Sequence, residues 1–323
     1  MSVDHDHDHD NDHDNDNDND NENENGATMR TTGVVGLGIM GSAMCGHLIE
    51  RGHAVVGFDV AEQRRADLER AGGRAAESAR SVAEQSDVVI TSLATVDAAL
   101  QVCTELATVA REGLVVAETS TLPHQVKERC RQLLTDAGVE LLDCPLSGTG
   151  AQALERDVVV YGSGDEAAFE RIRPVLSAFS RSVRYLGPFG RGSTMKLVAN
   201  LLVAVHNAST AEAFALGEAA GLDPQQIYDT IRDGAGNSVI FEKRGKLMID
   251  RSYLPATAKI SMFVKDVALI TEFAGRLGLE TPMVDASRAL YDRGVAQGFA
   301  DADAAALLDV LRSAERPARE ENS

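Results

Sequence analysis

Cysteine is sparse in this chain of 323 residues, and positive charge is in deficit. The four cysteines, Cys45, Cys103, Cys130 and Cys144, lie far apart and form no C-x-x-C pair. That removes the usual sequence support for structural zinc and for a disulfide framework, and it fits a reducing, cytoplasmic setting. Thirty-one basic side chains face 50 acidic ones, for a formal net charge of −19. Such a surface repels a phosphate backbone, which argues against nucleic-acid binding without a dedicated basic patch. Long apolar runs are also missing. The most apolar segment, Leu197 to Val205, is interrupted by Asn200 and falls far short of the ~20 residues of a membrane span. Lysine is the rarer cation, with only 6 against 25 arginines.

The charge is unevenly placed. Residues 1–28 carry eleven acids, four histidines and seven asparagines with no Lys or Arg, so the rest of the chain holds only −8. Asp-His and then Asn-Asp alternation leaves almost nothing apolar to bury, and a disordered tail is expected. It has neither the basic and apolar regions of a signal peptide nor the arginines of a transit peptide. His5, His7 and His9 could touch a metal weakly, but the plainer reading is a solvated low-complexity segment. His47, His53, His124 and His206 show no metal-ligand spacing, and no metal site is expected.

Beyond the tail, hydrophobic residues are plentiful (44% of the chain), and the length suits about two domains of ~100–200 residues each. Short Val/Ile/Leu runs alternate with helix-like segments: Gly33–Val35, Ala54–Phe58, Asp87–Ile90, Leu114–Val116, Val139–Leu142 and Val158–Tyr161. Continuous apolar runs of this length are what buried parallel strands require, so the expectation is an α/β Rossmann-type domain with a doubly wound parallel sheet. Near Gly187-Pro188-Phe189-Gly190 the pattern changes. Ser193 to Ala220 contains no proline and one glycine, and reads as one long buried helix closed by Gly221. Helical periods continue after it, with breaks at Asp233-Gly234, Tyr253-Leu254-Pro255 and Gly278. The expected organisation is a tail over 1–28, the α/β domain over 29–190, and an all-helical domain over 191–323.

Three segments carry chemistry. Gly36-Leu37-Gly38-Ile39-Met40-Gly41 is a G-x-G-x-x-G that follows a strand and opens a helix. Its glycines permit a tight turn and let backbone N–H groups approach a pyrophosphate at the helix N-terminus. Asp59, 18 residues beyond Gly41 and at the end of the second strand, can accept from the ribose hydroxyls, which favours NAD. Arg64 and Arg65 could instead meet a 2′-phosphate, so NADP stays open. The second segment, Asp143-Cys144-Pro145-Leu146-Ser147-Gly148-Thr149-Gly150, sets a hydroxyl beside flexible backbone N–H groups. It reads equally as a carboxylate nest and as an ordinary strand-to-helix turn.

The third segment runs from Gly190 to Asn200. Lys196 and Asn200 are four apart and share a helix face, to which Asn207 returns three turns on. A buried polar stripe needs an explanation, because unpaired polar groups are costly in an apolar setting. In a chain that prefers arginine, a lysine is also informative: it can release a proton when desolvated, and arginine cannot. Lys196 is therefore a candidate acid/base, and Asn200 its positioner or a substrate donor.

These segments occur in order with Lys265-Asp266, and together they resemble the β-hydroxyacid dehydrogenase family, which includes 3-hydroxyisobutyrate dehydrogenases and tartronate semialdehyde reductases. The resemblance spans roughly residues 31 to 310. It implies an NAD(P)-dependent oxidoreductase that moves a hydride reversibly between the nicotinamide and a small 3-hydroxy acid or its semialdehyde. It further implies that Ser147, Gly148 and Thr149 hold the substrate carboxylate, that Lys196 is the catalytic acid/base assisted by Asn200, and that Lys265 reaches cofactor and substrate. Leu93, Ala94 and Thr121 match positions lining the nicotinamide side, and assembly as a homodimer or homotetramer is expected. Two departures stand out: Thr149 replaces a common glycine, and Ala94 a common proline. The alternatives are an imine reductase-like enzyme on the same fold, which usually lacks the lysine, and a catalytically silent dinucleotide-binding regulator.

Overall fold

The structure is a computed structural model that describes residues 31–109 and 113–313. The acidic tail over 1–28, with His5, His7 and His9, lies outside the described residues. Strands and helices then alternate: β1 (Thr32–Val35), α1 (Ile39–Glu50), β2 (Val55–Phe58), α2 (Glu62–Arg70), β3 (Arg74–Ala75), α3 (Ala79–Glu84), β4 (Val88–Thr91), α4 (Val96–Leu106), β5 (Val115–Glu118), α5 (His124–Thr135) and β6 (Glu140–Asp143). The strands form one sheet of order β3-β2-β1-β4-β5-β6, parallel at every pairing. The order reverses between β1 and β4, so a crevice opens at the carboxyl ends of these strands, where ligands bind in folds of this kind.

The apolar runs are continuous because both sheet faces are covered. Val34, Ile90, Val115 and Leu142 point into one core with Met44 and Leu48 of α1. Their neighbours Val35, Val89, Val116 and Leu141 point into the other, with Val82 of α3, Leu106 of α4 and Leu134 of α5. Alternate residues thus serve opposite layers, and none can be polar without leaving a buried group unpaired.

A second, smaller sheet follows: β7 (Leu146–Ser147), α6 (Gly150–Leu154), β8 (Val159–Gly162), α7 (Glu166–Ala178) and β9 (Ser182–Tyr185). β7 runs antiparallel to β8, and β8 parallel to β9. The Val158–Tyr161 run is therefore a strand, but it stands in this separate sheet. The chain runs on through Pro145 in one direction, antiparallel to the β8 stretch from Asp143 opposite Ser163 to Ser147 opposite Val159, and the two-residue β7 occupies an edge of β8. A strand of two residues has no periodicity from which to be read.

The remainder is helical: α8 (Arg191–Ala219), α9 (Pro224–Arg232), α10 (Val239–Asp250), α11 (Ile260–Arg276), α12 (Pro282–Ala296) and α13 (Leu307–Arg312), with a 3₁₀ turn at Ala304–Ala306. The breaks read at Asp233-Gly234, Tyr253–Pro255 and Gly278 separate these helices. α8, about 44 Å long at 1.5 Å per residue, is the axis on which α10, α11, α12 and α13 pack. Buried Ala204, Ala208 and Ala211 allow close approach, and Phe214 stacks on Phe241 with ring centroids 5.6 Å apart. Among the described residues, no helix is long and apolar enough to cross a membrane. Among them too, no group of three or more His, Cys, Asp or Glu is arranged to hold a metal ion.

Candidate active site

The glycine loop divides its glycines between two tasks. Gly36 has φ +92°, and a Cβ there would stand 2.2 Å from the Ser92 carbonyl oxygen; a Cβ on Gly41 would stand 1.9 Å from that of Gly36. The chain's own backbone demands both. Among the described residues, a Cβ at Gly38 would meet only the Arg64 guanidinium, at 3.7 Å. Gly38 is also the N-cap of α1, has no side chain to satisfy the helix's first N–H groups, and precedes Ile39, which is exposed. Space left over a helix N-terminus with free donors fits a pyrophosphate.

Asp59 braces this loop. Its Oδ2 accepts from Leu37 N at 2.8 Å and from Arg64 Nη1 at 3.1 Å, while Oδ1 accepts from Ala61 N at 2.9 Å. Burial works to raise the carboxyl's pKa. The Ala61 and Leu37 N–H groups and the Arg64 charge outweigh it and hold the group below its ordinary value. Both oxygens are engaged, yet an ionised carboxylate has about four lone-pair sites, so capacity for a ribose hydroxyl remains. Arg65 turns back to the Asp59 carbonyl at 2.6 Å.

The loops after β4 and β5 are tied together. Leu93 N donates to Ser120 Oγ at 2.8 Å, which sets the Leu93-Ala94 turn beside Ser120 and Thr121. From the helical part, Lys265 Nζ on α11 donates to the Thr121 carbonyl at 3.3 Å. The Ser147–Gly150 segment lies against the glycine loop, since a Cβ on Gly150 would come within 2.5 Å of Ile39 Cγ2. Ser147 is half-buried opposite Val159, and Gly148 adopts φ +146°. The Thr149 hydroxyl serves local structure. It accepts from Gln152 N at 3.3 Å, and Gln152 Oε1 accepts from Thr149 N at 3.1 Å, a capping box that starts α6.

Lys196 and Asn200 stand in the first turns of α8. Asn200 Nδ2 donates to Asp266 Oδ2 at 2.7 Å, and Lys265 Nζ lies 3.7 Å from Asp266 Oδ1. That Oδ1 is buried and has no hydrogen-bond partner among the described residues. Burial lowers the Lys196 pKa; Asp266 opposes the shift, and the charges of Lys265 and Lys127 add to it. Burial likewise raises the Asp266 carboxyl, against the pull of Lys265 and Lys196 and the Asn200 amide. An amine pushed towards neutrality beside a carboxylate and an oriented amide can exchange a proton with a bound hydroxyl or carbonyl. Asn207 is fully buried farther along α8, near Tyr291, whose hydroxyl donates to the Ala204 carbonyl.

The structure thus joins Asn200 and Lys265 at Asp266, places Lys196 one turn before Asn200 within reach of the Asp266 charge, links Thr121 to Lys265, and seats Ser147–Gly150 on the glycine loop. Sequence reading gave no role to Asp266, to Ser120, or to buried Lys127 with its partners Glu118 and Asp143. The scarcity of lysine that drew attention to Lys196 would also have flagged Lys127.

Two family models match nearly all of the described chain: the NAD binding domain of 6-phosphogluconate dehydrogenase over residues 31–187, and the NAD-binding domain of NADP-dependent 3-hydroxyisobutyrate dehydrogenase over 190–311. L-threonate dehydrogenase of Pectobacterium atrosepticum is 31% identical over 293 residues, covering 89% of this chain and 96% of the relative. Among solved structures, 3-hydroxyisobutyrate dehydrogenase from Salmonella typhimurium is 31% identical with a TM-score of 0.78, over 87% of this chain and 99% of that one. The Mycobacterium tuberculosis 3-hydroxyisobutyrate dehydrogenase solved with L-serine is 28% identical with a TM-score of 0.82, over 88% and 100%. With its glycine loop, its sheet order and both family models matched one after the other, the chain belongs to the NAD(P)-dependent β-hydroxyacid dehydrogenase family.

Proposed function

We propose that this chain oxidises a small 3-hydroxy acid reversibly to the corresponding semialdehyde, with NAD preferred over NADP and Lys196 as the acid/base. The observation that carries the reading is Lys196 itself, its amine lowered by burial, one helical turn from the Asn200 amide that Asp266 fixes. A bound nicotinamide supplies the hydride acceptor. In oxidation Lys196 Nζ takes the proton of the substrate hydroxyl; in reduction it returns that proton to the carbonyl oxygen. Asn200, its amide fixed by Asp266, orients the reacting oxygen. Ser147 and the neighbouring Gly148 and Thr149 backbone hold the substrate carboxylate, and Thr149 contributes bulk, since its hydroxyl caps α6. Leu93, Ala94, Thr121 and Lys265 line the nicotinamide side. Asp59 supports the preference for NAD, because its charge disfavours a 2′-phosphate.

The four cysteines are free and buried, in keeping with work in a reducing cytoplasm. Exposed Met195, Val198 and Leu202 on one side of α8 support a homodimer or homotetramer.

The test is a panel of small hydroxy acids at alkaline pH, including 3-hydroxyisobutyrate and L-threonate, run with NAD and NADP side by side. Lys196→Ala should lower turnover by about 10²–10⁴-fold, the usual worth of a general acid/base, and leave NAD affinity intact. A variant that keeps more than about a tenth of the wild-type rate, well outside that range, would overturn the assignment.

A further inference from the structure

Lys127 on α5 is completely enclosed. Its Nζ lies 2.7 Å from Glu118 Oε2 and 2.7 Å from Asp143 Oδ1, and none of the three side chains exceeds 1% exposure. Glu118 and Asp143 end adjacent parallel strands and are paired residues in the register of β5 and β6. Two carboxylates so placed repel one another without a cation between them, and Lys127 is that cation. Burial alone would lower the Lys127 amine; Asp143 and Glu118 overcome it and keep the amine charged.

Each carboxylate also grips one part of the site. Glu118 Oε1 accepts from Ser120 N at 2.8 Å, and Ser120 Oγ in turn accepts from Leu93 N. Asp143 Oδ2 accepts from Ser193 N at 2.7 Å, and Asp143 Oδ1 accepts from Ser193 Oγ at 2.8 Å, across 50 positions of sequence. Ser163, bridged to Asp143 backbone to backbone, accepts from Gly192 N at 2.9 Å. The N-cap of α8 is Gly190, which has no side chain to cap the helix. The second and third donors of the helix, Gly192 N and Ser193 N, therefore end on Ser163 and Asp143, which belong to the other domain. An anion here also meets the positive end of the helix dipole. Lys196 follows Ser193 by one turn.

We infer that Asp143, paired with Lys127, is the positioning residue that caps α8 from the dinucleotide-binding domain and so sets the place of the Lys196 amine relative to the cofactor. Through Glu118 and Ser120 the same lysine steadies the Leu93-Ala94 turn, so both sides of the reacting centre are referred to one buried charge. The inference rests on the reading of Lys196 as the acid/base. Displacement of a reacting group by about 1 Å can lower a rate by about 10²-fold.

The experiment uses the full chain carrying Asp143→Asn, with Ser193→Ala and Ser193→Thr as milder companions should the first fail to fold. Four quantities are read: kcat with substrate KM, NAD affinity by titration, the melting temperature, and the pH dependence of Lys196 labelling by reductive methylation, followed by mass spectrometry. Asp143→Asn should lower kcat by about 10–100-fold, as expected for misplacement, and leave KM and NAD affinity within about twofold. It should also move the Lys196 labelling curve to lower pH, because Lys127 is left less neutralised. Ser193→Ala should lower kcat in the same way more weakly with the labelling curve unmoved, and Ser193→Thr should restore kcat. The inference is overturned if the labelling curve of Asp143→Asn stays at its wild-type position, or if kcat in either variant falls only in step with melting temperature. Failure of the underlying reading is a separate result: Lys196→Ala would then retain turnover, whatever the labelling curve does.

Discussion

Asn200 and Asp266 meet at 2.7 Å across 66 positions of sequence, amide nitrogen to carboxylate oxygen, with both side chains buried. The contact fixes which way the Asn200 amide faces and leaves its oxygen free to accept. It also places a negative charge near Lys196 that opposes the lowering of that amine. In oxidation Lys196 must start neutral, so the rate rises with pH as the amine loses its proton. Asp266→Asn removes the opposing charge, and the ascending limb of kcat should therefore move to lower pH. A hydrogen bond to a charged group contributes about 1.5–3 kcal/mol, so the plateau should fall by about 10–100-fold. A pH–rate profile checks both, and an unmoved limb would refute the role given to Asp266.

How much of this was legible in the sequence depends on distance along the chain. The β1–loop–α1 unit shows itself through six contiguous positions, Gly36 to Gly41, and Asp59 through its spacing at the end of β2. α8 shows itself by the absence of proline and by helical period. The two-residue strands β3 and β7 are too short to carry a pattern. The Asn200–Asp266 and Asp143–Ser193 contacts join residues whose nearness is decided by how the domains pack, which no local window contains. Thr149 is a different case. Thr149-Gly150-Ala151-Gln152 has the spacing of a capping box, the local role that an ordinary strand-to-helix turn requires.

The division of labour in the glycine loop separates cofactor binding from folding. Gly38→Ala adds a Cβ into space bordered only by Arg64, so melting should change little, within the few tenths to about 1 kcal/mol that separate N-cap residues. NAD affinity should fall at least tenfold, because that space is where the pyrophosphate must approach. Gly41→Ala places its Cβ 1.9 Å from the Gly36 carbonyl and should destabilise the apoprotein itself. Overpacking of this kind costs about 1–3 kcal/mol. Thermal melting with and without NAD distinguishes the two variants; equal loss of stability in both would refute the assignment of Gly38 to the ligand.

Asp59 serves the loop and the cofactor together, and pH separates the two. Its folded pKa lies below the ordinary value of 3.8, because the Ala61 and Leu37 N–H groups and Arg64 favour the ionised form over the opposing effect of burial. A depressed carboxyl contributes stability that is fully present above its unfolded pKa, about 3.9, and is lost as pH falls through the folded value. Asp59→Asn cannot accept at both oxygens and leaves one backbone donor facing an NH₂ group, a loss of about 1–3 kcal/mol at neutral pH. The stability gap between wild type and variant should therefore stay constant from about pH 5 to 8 and shrink below about pH 4, where the wild-type carboxyl also loses its charge. Denaturant titrations at pH 7 and pH 3 measure that gap, and the remaining carboxylates cancel because both proteins carry them. The same variant removes the negative charge beside the ribose and frees Arg64, so NADP should gain on NAD in kcat/KM. A gap that persists undiminished at pH 3 would mean that the Asp59 carboxylate does not hold the loop by charge.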